Sequence, residues 1–157
     1  MSPYKGTALI TGGGGSIARA IAMRLDKLGY RLLLTDINPA RARETAAKLS
    51  RPAEIIACDQ TNARDLDNLL RRVREEYPDL DVLVNNAGYI RPGDFLDLGV
   101  EEIERHMAVN LTSPVHLIRG IAPLMTKRNQ GAIVICRKRK SSKRSSFGQK
   151  STLKMID

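Results

Sequence analysis

Four consecutive glycines, Gly12 to Gly15, come between the apolar run Thr7–Thr11 and an amphipathic stretch that begins at Ser16. A phosphate can approach the backbone closely at such a turn, because no side chain blocks it. The first N–H groups of the following helix and the positive end of its dipole favour the same anion. Gly13-x-Gly15-x-x-Ala18 fits the dinucleotide fingerprint with alanine in its last place. The pattern predicts a pyrophosphate site, and the alternative is a turn that holds no ligand.

An acidic residue strengthens the dinucleotide interpretation. Asp36 ends the apolar run Leu32–Leu34, about 20 residues after the glycines, where this kind of fold places an acid against a ribose. A carboxylate accepts hydrogen bonds from ribose hydroxyls and repels a 2′-phosphate, and no basic residue follows Asp36 within its loop. We therefore predict NAD as the cofactor, in preference to NADP. The alternative role for Asp36 is to cap the helix that Pro39 introduces.

Four motifs resemble the short-chain dehydrogenase/reductase family. The stretch Thr11–Ala18 resembles the glycine turn of that family, although Ser16 and Ala18 replace glycines. Asn85-Asn86-Ala87-Gly88 matches its Asn-Asn-Ala-Gly motif fully. Asn110 resembles the asparagine of its long helix, and Asp59 the aspartate that contacts adenine. The resemblance covers residues 5–136.

The resemblance implies a role for each matching residue. Asp36 would hold the ribose, Asp59 would hold the adenine, and Asn110 would bend its helix and position a water in a proton relay, as the candidate catalytic residue. The pyrophosphate would lie on the residues Gly12, Gly13, Gly14, Gly15, Ser16 and Ile17, and the edge of the cofactor on Asn85, Ala87 and Gly88. The Asn-Asn-Ala-Gly stretch could instead serve mainly to tie strands together.

The proton-transfer residues of the family are missing. The resemblance implies hydride transfer between nicotinamide and an alcohol or carbonyl, assisted by a serine and by a Tyr-x-x-x-Lys pair whose lysine lowers the pKa of the tyrosine. None of the four tyrosines, Tyr4, Tyr30, Tyr77 and Tyr89, has a lysine four residues later, and Lys138 stands where the family has its serine. We expect an NAD-binding member of the family whose catalysis is impaired. A small alcohol or carbonyl substrate is implied only for the intact family.

Short apolar runs alternate with amphipathic helices along the chain. Strands are predicted at 7–11, 31–35, 54–58, 81–84 and 131–136, and helices at 16–28, 40–49, 62–77 and 100–128, with the last one bent near Asn110 to Pro114. Strands separated by helices of this length pair in parallel. We expect an open, doubly wound α/β sheet of the Rossmann type, with strand order 3-2-1-4-5, that ends before a sixth strand. The fifth strand would then leave an exposed apolar edge that favours self-association.

The positive charge is concentrated in the last 21 residues. The net charge is +9, and residues 137–157 contain eight of the 26 Lys/Arg residues but one of the 17 Asp/Glu residues. We expect a dinucleotide-binding domain at 1–136 and a disordered basic tail at 137–157, from a frameshift, an altered splice or a sequencing error. A second interpretation is a non-enzymatic fragment whose tail contacts nucleic acid or an import receptor. Because the tail has one aromatic residue, Phe147, base stacking along it is not expected.

The remaining polar residues suggest no metal site. Cys58 and Cys136 each end an apolar run. We interpret them as small buried core residues with free thiols, as is typical of proteins in a reducing compartment. His106 and His116 read as ordinary helix residues. No stretch approaches the length of a membrane span, and the start of the chain has no apolar signal region. We expect a cytoplasmic protein that makes no membrane contact and binds no metal.

Overall fold

The computed structural model describes residues 3–136, which form a five-stranded parallel sheet in the order β3-β2-β1-β4-β5. The strands are β1 Gly6–Thr11, β2 Tyr30–Asp36, β3 Glu54–Ala57, β4 Leu80–Asn85 and β5 Ala132–Ile135. The helices are α1 Ser16–Lys27, α2 Pro39–Ala46, α3 Ala63–Glu76, α4 Val100–Met107 and α5 Ser113–Lys127. The predicted fold class and strand order are confirmed. The predicted tail at 137–157 lies outside the described residues.

Helices cover both faces of the sheet. On one face Leu9, Leu33 and Leu83 pack against α3 and α5. On the other face Ala8, Ile10, Leu32 and Leu34 belong to a cluster with the small residues of α1 and α2. The central strands β1 and β2 are therefore buried on both sides, which explains their continuous apolar runs.

The chain from α4 to α5 is helical throughout but changes its winding. A π-helical segment, Ala108–Thr112, joins α4 to α5 and contains Asn110. The predicted bend near Asn110 to Pro114 corresponds to this segment, since one wide turn interrupts the regular α-helical ladder. No helix among the described residues is long and apolar enough to cross a membrane.

β5 forms one edge of the sheet within the described part of the chain. It pairs with β4, and its apolar side chains are exposed: Ile133 to 37%, Val134 to 45% and Ile135 to 57%. The neighbouring helical residues Leu111 and Val115 are exposed as well. The predicted exposed edge is confirmed for these residues, and self-association through it stays a prediction.

A buried carboxylate anchors the end of α1 to the segment before β3. Asp26 is 4% exposed, and its Oδ2 accepts hydrogen bonds from Ser50 N (2.7 Å) and Ser50 Oγ (2.6 Å). Arg51 Nη1 lies 3.3 Å from Asp26 Oδ1. Burial alone raises the pKa of Asp26, but the hydrogen bonds from Ser50 and the charge of Arg51 outweigh it, so that the pKa is lowered. Asp26 therefore stabilises the fold in its charged form.

This anchor predicts a specific acid sensitivity. Because the pKa of Asp26 is lower in the folded chain, its contribution to the free energy of unfolding is complete above about pH 4. It is lost as the pH falls through the lowered value. Urea unfolding between pH 2 and pH 6 should show this loss, and Asp26→Asn should be less stable at pH 6 with a shallower pH dependence. The exposed Asp79→Asn is the control. Equal pH slopes for Asp26→Asn and the unmodified chain would contradict the prediction.

Candidate functional site

The carboxyl ends of β1, β2 and β4 open into a cavity of about 300 Å³. A parallel sheet binds its ligands at this edge, where neighbouring strands lead to helices on opposite faces. Five loop or helix segments contribute to the wall, which is lined by Gly12, Gly15, Ser16, Ile17, Asp36, Ile37, Arg41, Cys58, Asp59, Gln60, Thr61, Asn86, Ala87, Gly88, Tyr89, Arg105 and Val109. We call this space the first cavity.

The glycine turn brings the start of α1 to the first cavity. Gly12 has φ +65°, and a Cβ there would lie 2.8 Å from Ala87 Cα, so that only glycine fits. Gly15 precedes α1 and makes no side-chain cap, which leaves the N–H groups of the first turn without a side-chain acceptor. Ser16 and Ile17 line the cavity at this point. The turn therefore offers backbone donors and a helix dipole to an anion.

Gly13 and Gly14 do not line the first cavity, although the resemblance placed the pyrophosphate on them. Gly13 N donates to Thr35 O (2.8 Å), and Gly13 O accepts from Thr45 Oγ1 (2.7 Å). A Cβ on Gly14 would overlap Arg41. These two glycines therefore allow the turn to pack closely against β2 and α2. The sequence motif alone does not show whether a glycine is needed for such packing or for contact with a ligand.

Asp36 lies in the first cavity and is 8% exposed. Its Oδ2 accepts from Gly14 N (2.9 Å) and its Oδ1 from Asn38 N (2.9 Å). The cap of α2 is Asn38, whose side chain accepts from Ala40 N, so the helix-capping alternative for Asp36 is wrong. Asp36 instead fixes the glycine turn to the end of β2, and each oxygen keeps a second lone pair for a ligand.

Asp59 lies in the same cavity, beyond the end of β3. Its Oδ1 accepts from Thr61 N and Thr61 Oγ1, both at 2.8 Å, and its Oδ2 has no hydrogen bond among residues 3–136. Asp59 therefore presents a free acceptor at the far end from the glycine turn. Asn62 caps α3 by accepting from Arg64 N.

Cys58, also in the cavity wall, is not a nucleophile. It is 2% exposed, and burial, followed by the charges of Asp65 and Asp59, raises the pKa of its thiol to about 12. The thiol is therefore protonated at neutral pH, and a protonated thiol is a poor nucleophile.

The Asn-Asn-Ala-Gly stretch ties β4 to the glycine turn. Thr11 Oγ1 accepts from Asn86 N (3.0 Å) and from Ala87 N (2.9 Å). Asn86 Nδ2 in turn donates to Thr11 O (3.0 Å) and to Gly12 O (3.3 Å). We call these four bonds the Thr11–Asn86 link. The alternative role of this stretch, which is to tie strands together, is therefore observed. Asn86 performs it, and Asn86 was not among the predicted site residues.

Asn110 is held by the segment after β4. Its Oδ1 accepts from Tyr89 N (3.0 Å) and its Nδ2 donates to Tyr89 O (2.7 Å). It does not line the first cavity. The π-helical segment therefore points its amide at the backbone of Tyr89, and the predicted role of Asn110 in a proton relay stays a prediction.

Two arginines in the first cavity were missed by the sequence analysis. Arg41 lies in the first turns of α2 and has Nη2 3.5 Å from Gly14 O. Arg105 places its guanidinium 4.6 Å from the ring centroid of Tyr89, whose hydroxyl donates to Glu102 Oε2 at 2.8 Å. The hydrogen bond to Glu102 raises the pKa of Tyr89. Arg41 is in a helix rather than in the loop after Asp36, so a search of the loop alone does not find it.

A second cavity of about 410 Å³ lies beside the first. The two cavities share Ala87 and Gly88 in their walls. The second cavity contains Asn85, which does not line the first one, and Asn110; its other wall residues are Ile90, Leu111, Pro114, Val115, Ile118, Ile135 and Cys136. The first cavity thus has charged side chains in its wall, whereas the second has none among its wall residues.

The sequence and the fold match known proteins. The short chain dehydrogenase family matches residues 6–147. 17-beta-hydroxysteroid dehydrogenase 13 of Mus musculus is 37% identical over 131 residues, which cover 82% of this chain and 43% of that protein. A metagenomic short-chain oxidoreductase in complex with NADP superimposes with a TM-score of 0.80 at 31% identity, over 86% of this chain and 62% of that one. A short-chain dehydrogenase from Sphingobium yanoikuyae in complex with NADPH gives 0.77 at 32% identity, over 83% and 52%.

The chain belongs to the short-chain dehydrogenase family. It spans about half the length of the curated relatives that it matches, between 43% and 55% of the first three. The family resemblance inferred from four motifs is therefore confirmed.

The Thr11–Asn86 link predicts that removal of the Thr11 hydroxyl lowers the free energy of unfolding substantially. Thr11 is 1% exposed, and Thr11→Val keeps its shape but leaves two N–H groups without an acceptor. We expect a loss of about 2 to 4 kcal/mol in the free energy of unfolding, measured by urea titration with circular dichroism. Thr11→Ser keeps the hydroxyl and should lose about 1 kcal/mol for one methyl group. If Thr11→Val were as stable as Thr11→Ser, the link would not carry this energy.

Proposed function

We propose that this chain binds a nicotinamide dinucleotide in the first cavity, with NAD preferred over NADP. Family membership implies the nicotinamide cofactor. The observation that carries the proposal is the meeting of three groups in one cavity: the uncapped start of α1, the carboxylate of Asp36 and the free oxygen of Asp59. These are an anion site and two acceptors, in the order that a pyrophosphate, a ribose and an adenine amine require.

Each of these groups has a defined task in the proposal. Backbone N–H groups at Ser16 and Ile17, with the α1 dipole, hold the pyrophosphate. Asp36 accepts from the adenosine ribose, and Asp59 Oδ2 accepts from the adenine amine. Asn86 keeps the cavity open at the β4 side by fixing Gly12 against Ala87. The bound nicotinamide supplies the hydride donor or acceptor.

The preference for NAD follows from the position of one carboxylate. Asp36 is buried next to the glycine turn, where a 2′-phosphate would bring negative charge against it. Arg41 favours NADP instead, because its positively charged guanidinium lines the same cavity and would attract the 2′-phosphate. In our proposal the repulsion by Asp36 outweighs the attraction by Arg41. The backbone N–H groups of Gly14 and Asn38 fix the Asp36 carboxylate in place, whereas the Arg41 guanidinium has one long hydrogen bond, to Gly14 O.

We propose further that the chain alone does not turn over substrate. The tyrosine nearest the first cavity, Tyr89, is followed four residues later by Gly93, and no Tyr-x-x-x-Lys occurs in the sequence. The hydroxyl of Tyr89 donates to Glu102, whose charge disfavours the phenolate that proton transfer needs. Oxidoreduction of a small alcohol or carbonyl belongs to the intact family, in which one neighbour is described as a bulky-bulky ketone specific alcohol dehydrogenase. A cytoplasmic location is part of the proposal, and the free thiols of Cys58 and Cys136 are compatible with it.

Cofactor titrations test the preference. Because the chain has no tryptophan, the fluorescence of the reduced nicotinamide reports binding without background from that residue. NADH should bind roughly tenfold more tightly than NADPH, equivalent to about 1.4 kcal/mol of charge repulsion. Asp36→Asn, which keeps the size and one acceptor oxygen, should remove most of this difference by strengthening NADPH binding.

Arg41→Gln is the matched variant, and it should weaken NADPH without changing NADH. Tighter binding of NADPH than of NADH by the unmodified chain would overturn the NAD preference. Absence of binding by both cofactors to folded chain would overturn the proposed function itself.

A further inference from the structure

The turn after β3 is tied to the start of α5 by a buried hydrogen bond. Ser113 Oγ donates to Gln60 Oε1 at 2.7 Å, and Ser113 is 1% and Gln60 8% exposed. Gln60 Nε2 has no hydrogen-bond partner among residues 3–136, so this amide is held by the Ser113 hydroxyl alone within that part of the chain. Because a buried amide oxygen costs free energy unless it is paired, the hydroxyl fixes where the Gln60 side chain lies.

The same turn carries the free acceptor of the first cavity. Gln60 follows Asp59 directly, and both residues line that cavity. Thr61 donates twice to Asp59 Oδ1, so that Asp59 Oδ2 is left for a ligand. A bond from Asn62 N to Asp59 O (3.0 Å) closes the turn. Since the residues of a closed turn move together, a bond on the Gln60 side chain also restricts the position of the Asp59 carboxylate.

Ser113 lies in a helical segment that contacts the first cavity at a second place. It begins α5 directly after the π-helical segment Ala108–Thr112. In that segment Asn110 bonds to the backbone N and O of Tyr89, which lines the cavity, and Val109 lines it as well. In the sheet, β2 and β1 lie between β3 and β4. The helical segment is therefore bonded to the chain after β4 through Asn110 and to the chain after β3 through Ser113.

We propose that Gln60 and Ser113 are positioning residues for the recognition of the adenine amine, which rests on the proposed function of the first cavity. Asp59 Oδ2 accepts from the amine, and the bond between Gln60 and Ser113 holds the turn in the position that this contact needs. An acceptor that is fixed before binding holds its donor more tightly, because less ordering cost is subtracted from the hydrogen bond. The consequence is a preference for adenine, which has an amine at its 6-position, over hypoxanthine, which has a carbonyl there.

Two ligands that differ at this one position of the base measure the preference. ADP-ribose and inosine diphosphate ribose have the same pyrophosphate and riboses, but only the first can donate to Asp59 Oδ2. Isothermal titration of the full chain should give at least tenfold tighter binding of ADP-ribose, since the other ligand brings an acceptor against an acceptor. Asp59→Asn should lower this ratio to about two or less, because an amide can turn its NH₂ toward the hypoxanthine carbonyl.

Ser113→Ala tests the inference itself. The ratio should fall to about threefold or less, mainly through weaker binding of ADP-ribose, because the turn is no longer held. Thr126→Ala is the matched control. It removes a hydroxyl from the same helix, where Thr126 Oγ1 bonds to Ala122 O and does not line the first cavity, and it should keep the ratio.

The outcomes separate this inference from the proposed function. An unchanged ratio in Ser113→Ala, together with a lowered ratio in Asp59→Asn, would overturn the role of Ser113 and leave the proposed function intact. Equal binding of the two ligands by the unmodified chain would overturn the inference, because there would be no recognition of the amine to position. Absence of ADP-ribose binding by the folded chain would overturn the proposed function and the inference with it.

A double variant separates positioning from a purely structural role. Ser113→Ala leaves Gln60 Oε1 buried without a partner and should lower the urea midpoint. Gln60→Met combined with Ser113→Ala removes both polar groups, so the midpoint should recover while the ligand ratio stays low. Recovery of the ratio together with the midpoint would overturn the inference, since the bond would then act on stability alone. If Ser113→Ala does not fold, the ratio in the double variant decides.

Discussion

The hydroxyl of Thr11 is the constraint on which the site depends. It accepts from the backbone of Asn86 and Ala87, while the amide of Asn86 donates back to Thr11 and Gly12. These bonds hold the carboxyl ends of β1 and β4 together where the two strands lead to helices on opposite faces of the sheet. Gly12 can then approach Ala87 more closely than any residue with a side chain could. The pairing of β1 with β4 ends at Ile10 and Val84, and the link extends this connection to the glycine turn.

The two cavities beside this link differ in the charge of their walls. The wall of the first cavity contains Asp36, Asp59, Arg41 and Arg105 together with the start of α1. The wall of the second is mainly aliphatic and contains Asn85, whose amide has no hydrogen-bond partner among residues 3–136. Ala87 and Gly88 line both cavities.

The strands and helices were predictable because they depend on local signals, and the strand order follows from the doubly wound fold that their alternation indicates. Buried strands such as Leu32–Leu34 read as apolar runs, and Gly29, with φ +91°, ends α1 as a glycine typically does. The positions of Asp36 and Asp59 in one cavity were predictable as well, because both residues follow parallel strands that end at the same edge.

The rest of the site depends on tertiary contacts that no spacing rule contains. Gly13 and Gly14 belong to the motif but pack against β2 and α2, and Arg41 reaches the first cavity from a helix. Asn110 matched the family pattern and a bend was predicted there, but its two bonds to the backbone of Tyr89 join positions 21 residues apart. That the Asn85 amide has no hydrogen-bond partner within the described part of the chain is visible only from the three-dimensional structure.

The most direct test of the account is the response of individual backbone amides to NAD⁺ in a ¹⁵N-labelled chain. The account predicts that the largest chemical-shift changes occur at Gly12, Gly15, Ser16 and Ile17, where the glycine turn meets the first turn of α1. Changes confined to residues 137–157, or no change at these four amides in saturating NAD⁺, would contradict it.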